Sequence, residues 1–484
     1  MHEIEVDGVP VFWAEAPGPL TGALVFGVGA RDESFRTIGI THLVEHLAMS
    51  TLPRVHYEHN AAVDLDTTQF YATGKPEHVV GFLATVCTAL ADLPLDRIEK
   101  EAGVLAAEGG HATHPIAAAL LNRRFGANGP GLAFWEGPGY DRITAEQVTA
   151  HVGTFFTRGN AVLTLTGTPP ADLRLPLPDG ARPARVAPPI VSGEASWAAE
   201  LTPGPGLALL GPARDASTIA AMEVLRERLV EIARREHGIS YDVAGTQCDL
   251  DTTLADRSIW LDAREGQEER AATILWEATV DLAANGPTGE ELAFAVEGLR
   301  HFVDDPRAPL AELENAAYAR LYGFPYRSGA EMVAAVEAVT PSEVATTLTE
   351  SLRTALLTVP EHVELDLGLA RGGCPRLPTV PPGREFRPPR LARLVNKEAR
   401  AARLVLGTSG VTFVDGDGDV HHVEFTEVAG VRGDDDGRLL FSRQGCVVPV
   451  LRSLFGNVDA VIEAVDHAVP ASLHYAPSEF ATND

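Results

Sequence analysis

Residues 27–51 read GVGARDESFRTIGITHLVEHLAMST, and the run His42-Leu43-Val44-Glu45-His46 inside them carries the densest chemistry of the chain. At ~100° per residue, helical positions four apart are rotated by roughly 400°, so the two imidazoles lie about 40° apart and can grip one cation. Glu45 points roughly 60° to the other side of His42, within reach of a water beside such an ion rather than of the ion itself. Ile40, Leu43, Val44, Leu47, Ala48 and Met49 make the helix apolar nearly all round, which predicts burial. Burying three unpaired polar side chains would cost on the order of 2–7 kcal/mol each, and a divalent cation offsets that cost. The competing reading is a pair of core histidines satisfied by backbone carbonyls, since a chain with 16 histidines can produce this spacing by chance.

A catalytic zinc takes three protein ligands and keeps one position open. Residues 95–109, LDRIEKEAGVLAAEG, read as a helix that stacks Glu101 and Glu108, seven apart, on one face beside Val104 and Leu105. Either carboxylate is a candidate third ligand; a solvated helix face is the alternative.

With Gly29, Arg31, Asp32, Glu33 and Gly39 ahead of it, the motif resembles the M16 (insulinase, pitrilysin, mitochondrial processing peptidase) metallopeptidases, whose inverted zinc motif is H-x-x-E-H. Asn60-Ala61, followed by Thr67, Thr68, Phe70 and Tyr71, is similar to the family's edge strand that holds substrate beside the metal. The resemblance implies one Zn2+ per chain on His42, His46 and Glu108, with Glu45 as general base. It implies Glu101 as the carboxylate that orients a histidine, and Asn60 and Ala61 as substrate-binding residues. Pro115 falls where the family often has proline. Glu108 follows His46 by 62 positions (108 − 46), fewer than the family usually has. The missing residues fall around Ser50–His59, which trims the chamber wall and removes no ligand. His56, His59, His111 and His114 read as exposed loop histidines rather than further metal ligands.

At 484 residues the chain should split into two to four domains. With 45% hydrophobic and 22% charged residues the composition is that of a soluble globular protein. No run of about 18 apolar residues occurs, so no membrane span is expected. The opening MHEIEVDGVPVFWAEA lacks the basic start and apolar core of a signal peptide, which makes the cytoplasm the expected location. Four cysteines, Cys87, Cys248, Cys374 and Cys446, form no C-x-x-C, so neither a disulfide framework nor a cysteine zinc site is expected. A net charge of −28 argues against nucleic acid or an anionic membrane as partner. Lys75, Lys100 and Lys397 are the only lysines, and the many alanines, glycines and prolines fit a GC-rich bacterial source.

Two α+β halves are expected, residues 1–192 with the zinc site and 193–370 as a degenerate repeat of the same plan. The proline-rich stretch 371–392 reads as a linker, and 393–484 as a small β-rich domain that resembles a pleckstrin-homology-like barrel. In the second half Arg234–Tyr241, RREHGISY, resembles the family's R-x-x-x-G-x-x-Y element. The resemblance gives Arg234 and Tyr241 a catalytic role, reaching a substrate carbonyl and its developing oxyanion. The alternative is a helix capped by Gly238 with Tyr241 opening a buried strand. Since both elements sit in one chain, a homodimer, or pairing with another M16-like chain, would complete the sites. DGDGD at 415–419 lacks EF-hand spacing and reads as a turn. The expected function is zinc-dependent hydrolysis of short or unfolded peptides, with leader-peptide processing as one form. The alternative is a non-catalytic M16-like scaffold or partner subunit.

Overall fold

Short β-branched runs bounded by glycine and aspartate turns build the sheets, and alanine- and leucine-rich stretches build the helices between them. The computed structural model describes residues 1–109 and 113–480. The first sheet holds β1 (His2–Val6), β2 (Val9–Trp13), β3 (Leu20–Phe26), β4 (Glu58–Val63), β5 (Thr68–Gly74) and β6 (Ala161–Leu165), in the order β1-β2-β6-β3-β5-β4. Strand β6 lies parallel to β2 and antiparallel to β3. The helices α1 (Ile40–Met49), α2 (Pro76–Ala91), α3 (Ile98–Glu108), α4 (Pro115–Phe125) and α5 (Ala145–Phe155) fall between the strands.

The second sheet holds β7 (Ser196–Glu200), β8 (Gly206–Pro212), β9 (Ser240–Asp249), β10 (Leu254–Ala263), β11 (Leu356–Pro360) and β12 (Ala370–Arg371), in the order β12-β7-β11-β8-β10-β9. Strand β11 is parallel to β7 and antiparallel to β8, so β7-β11-β8-β10-β9 reproduces the pairing of β2-β6-β3-β5-β4 in the first sheet. Its helices are α6 (Ala216–Leu229), α7 (Glu268–Asn285), α8 (Gly289–Asp304), α9 (Ala308–Tyr322), α10 (Gly329–Glu337) and α11 (Pro341–Ser351). Beyond α6 the chain continues as a π-helix over Val230–Glu236.

The halves exchange helices. From the first half, α4 lays Ile116, Ala117 and Leu120 against Ala208, Trp260 and Leu356 of the second sheet. From the second half, α9 lays Leu313, Ala316, Ala317 and Leu321 against Phe12, Val25 and Val162 of the first. Each helix therefore gains its apolar burial from the other half, at roughly 25 cal/mol per Å2 removed from water. Arg124 on α4 and Asp256 on β10, both almost fully buried, form an ion pair of 2.9 Å across the same seam.

The C-terminal unit has two four-stranded sheets. One holds β13 (Arg384–Phe386), β14 (Arg403–Leu406), β15 (Gly410–Val414) and β16 (Val420–Glu424) in chain order. The other orders β17 (Val428–Gly433), β18 (Gly437–Ser442), β19 (Val447–Leu451) and β20 (His474–Tyr475) as β19-β18-β17-β20. A helix over Asp459–Ala468 closes the unit, placing Val461, Ile462 and Val465 in its core. Strand β13 falls inside the proline-rich stretch read as a linker.

The chain is α+β, with two tandem units of like plan and a small β unit after them. The expectation for the cysteines fails. Cys374 and Cys446, 72 positions apart, are joined in a disulfide, while Cys87 and Cys248 are free and buried. The bond forms because the segment after β12 folds back along the C-terminal sheet, where Leu377 N–H donates to the Val420 carbonyl at 2.8 Å. Among the described residues no single helix is long and apolar enough to cross a membrane.

Candidate metal centre

The motif helix α1 starts at Gly39, whose φ of +89° suits glycine and whose missing side chain leaves room for the Tyr140 ring. Gly39 cannot cap the helix, and Glu33 does so from outside. Its carboxylate accepts the backbone N–H of Gly39 at 2.7 Å and of Thr41 at 2.9 Å. A carboxylate there satisfies two orphan donors and the positive end of the helix dipole. Burial nevertheless pushes the Glu33 carboxyl up to about 7, the two hydrogen bonds opposing it. Behind the helix, Thr41 Oγ1 lies 3.1 Å from Nε2 of His151, whose imidazole burial holds down at about 4.

Ile40, Leu43, Val44, Leu47 and Ala48 are buried, as the apolar surround predicts. The two imidazoles stand nearly perpendicular with centroids 4.9 Å apart. Glu108, the last residue of α3, brings Oε2 to 3.7 Å from His42 Nε2 and 3.6 Å from His46 Nε2. A carboxylate at a helix C-terminus opposes the dipole, so it gains from a cation nearby. Tetrahedral zinc with bonds of about 2.0–2.1 Å separates its ligand atoms by about 3.4 Å. The His42, His46 and Glu108 donors all lie within 4.8 Å of one another, and an imidazole, imidazole, carboxylate set suits Zn2+. The residues fit the ion.

Glu45, buried, holds Oε2 at 3.6 Å from His42 Nε2 and 3.8 Å from His46 Nε2, beside the same point. Burial, with the Glu108 charge adding, pushes its carboxyl up to about 8. Burial also pushes the His42 imidazole down, with His46 adding and Glu108 opposing. A dication would reverse the first shift. Glu101, buried on α3, receives Arg97 Nη2 at 2.9 Å on one oxygen and sits 3.8 Å from His46 Nδ1 with the other. It thus faces the ring nitrogen that would not bind metal.

Asn60 and Ala61 lie on β4, the edge of the first sheet, paired with Tyr71 and Phe70. Arg234 and Tyr241 come together, the guanidinium 5.5 Å from the ring centroid, and Tyr241 is 78% exposed rather than the start of a buried strand. Among the described residues no hydrogen bond, ion pair or ring contact joins either of them to the histidine–glutamate cluster. His56 is exposed, but His59 is a half-buried strand residue against Phe82 rather than a loop histidine. His114 caps α4 and stacks on Trp260, and His111 lies outside the described residues.

Sequence reasoning gave no role to Tyr140 and none beyond resemblance to Glu33. Both line a cavity of about 290 Å3 beside His42, together with Gly39, Val63 and Trp135. A larger cavity of about 480 Å3 lies between the halves, lined by Asp64 and Asp66 from one and Gln247, Trp260 and Tyr318 from the other.

No family model matches this chain, and no curated protein matches it in sequence. Solved structures match it in fold. The inactive domain of a peptidase M16 from Pseudomonas fluorescens superposes with a TM-score of 0.60 at 16% identity, covering 77% of this chain and 99% of that one. A protease from Helicobacter pylori gives 0.61 at 13% identity, over 74% and 98% of the two chains. The periplasmic protease PqqL from Escherichia coli gives 0.58 at 16% identity, over 90% of this chain and 56% of that one. The chain has the fold of the M16-like peptidases.

Proposed function

We propose that the protein is a zinc-dependent endopeptidase acting on short or unfolded peptides. The observation that carries this reading is the meeting of His42, His46 and Glu108 donor atoms within 4.8 Å, with the Glu45 carboxylate beside both rings. A zinc ion bound there would supply a Lewis acid for the scissile carbonyl and lower the pKa of water to about 7. His42, His46 and Glu108 would hold the ion. Glu45 Oε2 takes the proton from the attacking water and returns it to the leaving amine, a role that fits a carboxyl whose pKa its surroundings can move. Glu101, anchored by Arg97, fixes the His46 ring through Nδ1.

An edge strand such as β4 accepts an extended peptide by backbone pairing, with Asn60 and Ala61 in that row. Folded substrates cannot offer such a strand, which restricts the enzyme to short or unfolded chains. Arg234 and Tyr241 are read as oxyanion donors delivered by a second copy or by another M16-like chain, an arrangement their exposed position allows. The C-terminal unit is read as a pleckstrin-homology-like docking module.

Digestion of a peptide library by the purified chain, with and without chelator, tests the proposal. Cleavage that stops with chelator and returns with zinc supports it; no cleavage by zinc-loaded protein rejects it. The second reading is a non-catalytic partner subunit, favoured by the solved M16 domain described as inactive. Retention of His42, Glu45, His46 and Glu108 in one cluster speaks for the catalytic reading. Glu101→Ala should weaken zinc binding about 10–100-fold, because His46 loses its orienting carboxylate, while Glu108→Ala should lower occupancy further. Competition against a zinc-sensitive dye reads both, and a reversed order would exchange the roles given to the two glutamates.

A further inference from the structure

Outside the M16-like halves, a second set of metal-ligating side chains gathers where the proline-rich segment meets the C-terminal sheets. Cys374 follows β12, His421 sits on β16, and Cys446 precedes β19. The two sulfurs and a ring nitrogen of His421 lie within 4.8 Å of one another. Nε2 of His421 is 3.3 Å from Asp415 Oδ2. Nδ1 of the same ring is buried and has no hydrogen-bond partner among the described residues. A carboxylate on one imidazole nitrogen fixes the tautomer that offers a lone pair on the other, the arrangement typical of metal-bound histidine.

Asp415 is itself held in place, accepting the backbone N–H groups of Asp417 and Asp419 at 2.9 Å each. Cys374 is brought near by more than the disulfide. Arg376 pairs with Asp419 at 2.7 Å, and Leu377 N–H donates to the Val420 carbonyl, both beside His421. These contacts hold the Cys374 segment beside His421 independently of the disulfide. Two thiolates and an imidazole form a donor set that selects Zn2+ over Mg2+ or Ca2+.

We propose that Cys374, Cys446 and His421 form a redox-gated zinc site, distinct from the histidine–glutamate cluster. In the oxidised chain the two sulfurs are bonded and bind no metal. A dithiol reductant delivers two electrons and two protons to the S–S bond and becomes a disulfide itself. The two protein thiols then release their protons to solvent as the thiolates bind Zn2+, with Nδ1 of His421 as third ligand and Asp415 holding Nε2–H. Either state fastens the segment after the second half to the turn Ser442–Cys446. That turn rests on the first half, where the Arg443 carbonyl accepts Ala127 N–H at 3.0 Å and Asn128 Nδ2–H at 2.7 Å.

Cobalt substitution of the full chain tests this. Reduced wild-type protein given Co2+ should show thiolate-to-cobalt charge-transfer absorption in the near ultraviolet, which an imidazole–carboxylate site cannot produce. The band should vanish in Cys374→Ser and in the oxidised wild type. It should require at least tenfold more Co2+ in His421→Gln, which keeps both thiols, and it should persist in His42→Ala, where the other site is disabled. Absence of the band from reduced wild type, or its survival in Cys374→Ser, overturns the proposal. Neither result bears on peptide cleavage.

Discussion

Glu45→Gln should keep its zinc and lose peptide cleavage, with kcat down by about 100- to 10,000-fold and KM little changed. The amide has the size and shape of the carboxylate but cannot accept a proton. Because Glu45 lies beside the three donor atoms and is not one of them, the ion should stay, and zinc content per chain should match wild type. Loss of cleavage with loss of zinc would instead make Glu45 a ligand. Retained cleavage with retained zinc would make another group the base, with Glu33 and Tyr140, which line the neighbouring cavity with His42, as the candidates.

Arg124→Met should destabilise the chain by about 3–5 kcal/mol, read as a shift in the urea midpoint at constant slope. Arg124 is fully buried and donates to Asp256 at 2.9 Å, to the Ser192 carbonyl at 2.9 Å and to the Ala208 carbonyl at 3.3 Å. Burial already pushes the Asp256 carboxyl up, against the attraction of Arg124, so removing the guanidinium leaves a buried acid without its hydrogen-bonded ion-pair partner, with only the charge of Arg257 and the Ser258 side chain to oppose burial. Adding Asp256→Leu should recover most of the loss, since the pair is then replaced by apolar groups of similar volume. If Arg124→Met alone is neutral, the seam between the halves does not depend on this ion pair.

How far the sequence could be read follows from the range of each interaction. The buried helix α1 was legible because its apolar surround and the i, i+4 histidines are local patterns. The stacking of Glu101 and Glu108 on α3 was local too, although which ring nitrogens each of them faces became visible only with the helix placed beside α1. Glu33 as a cap was not readable as such, because it reaches Gly39 and Thr41 across an intervening turn instead of standing at the N-cap position. Tyr140 lies far along the chain and meets the site only through packing.

The helix α9 was not anticipated. Its alanine-rich face makes sense only against Phe12, Val25 and Val162 of the other half, which no window of its own sequence contains. Likewise nothing in the spacing of Cys374 and Cys446 signals a bond, because backbone pairing beside β16 brings them together. Tyr241 is the second residue of β9, an edge strand, where one face remains open to solvent, so the helix-cap reading that buries it fails. Local periodicity reports which residues share a face, and the partner of that face is set by the tertiary fold.

Anomalous scattering at the zinc edge from crystals of the oxidised, zinc-loaded protein tests the central claim most directly. The predicted result is one peak per chain, about 2.0–2.2 Å from His42 Nε2, His46 Nε2 and a Glu108 oxygen. A map with no peak between those atoms, or one in which the imidazoles turn apart and Glu108 points to solvent, would contradict the account.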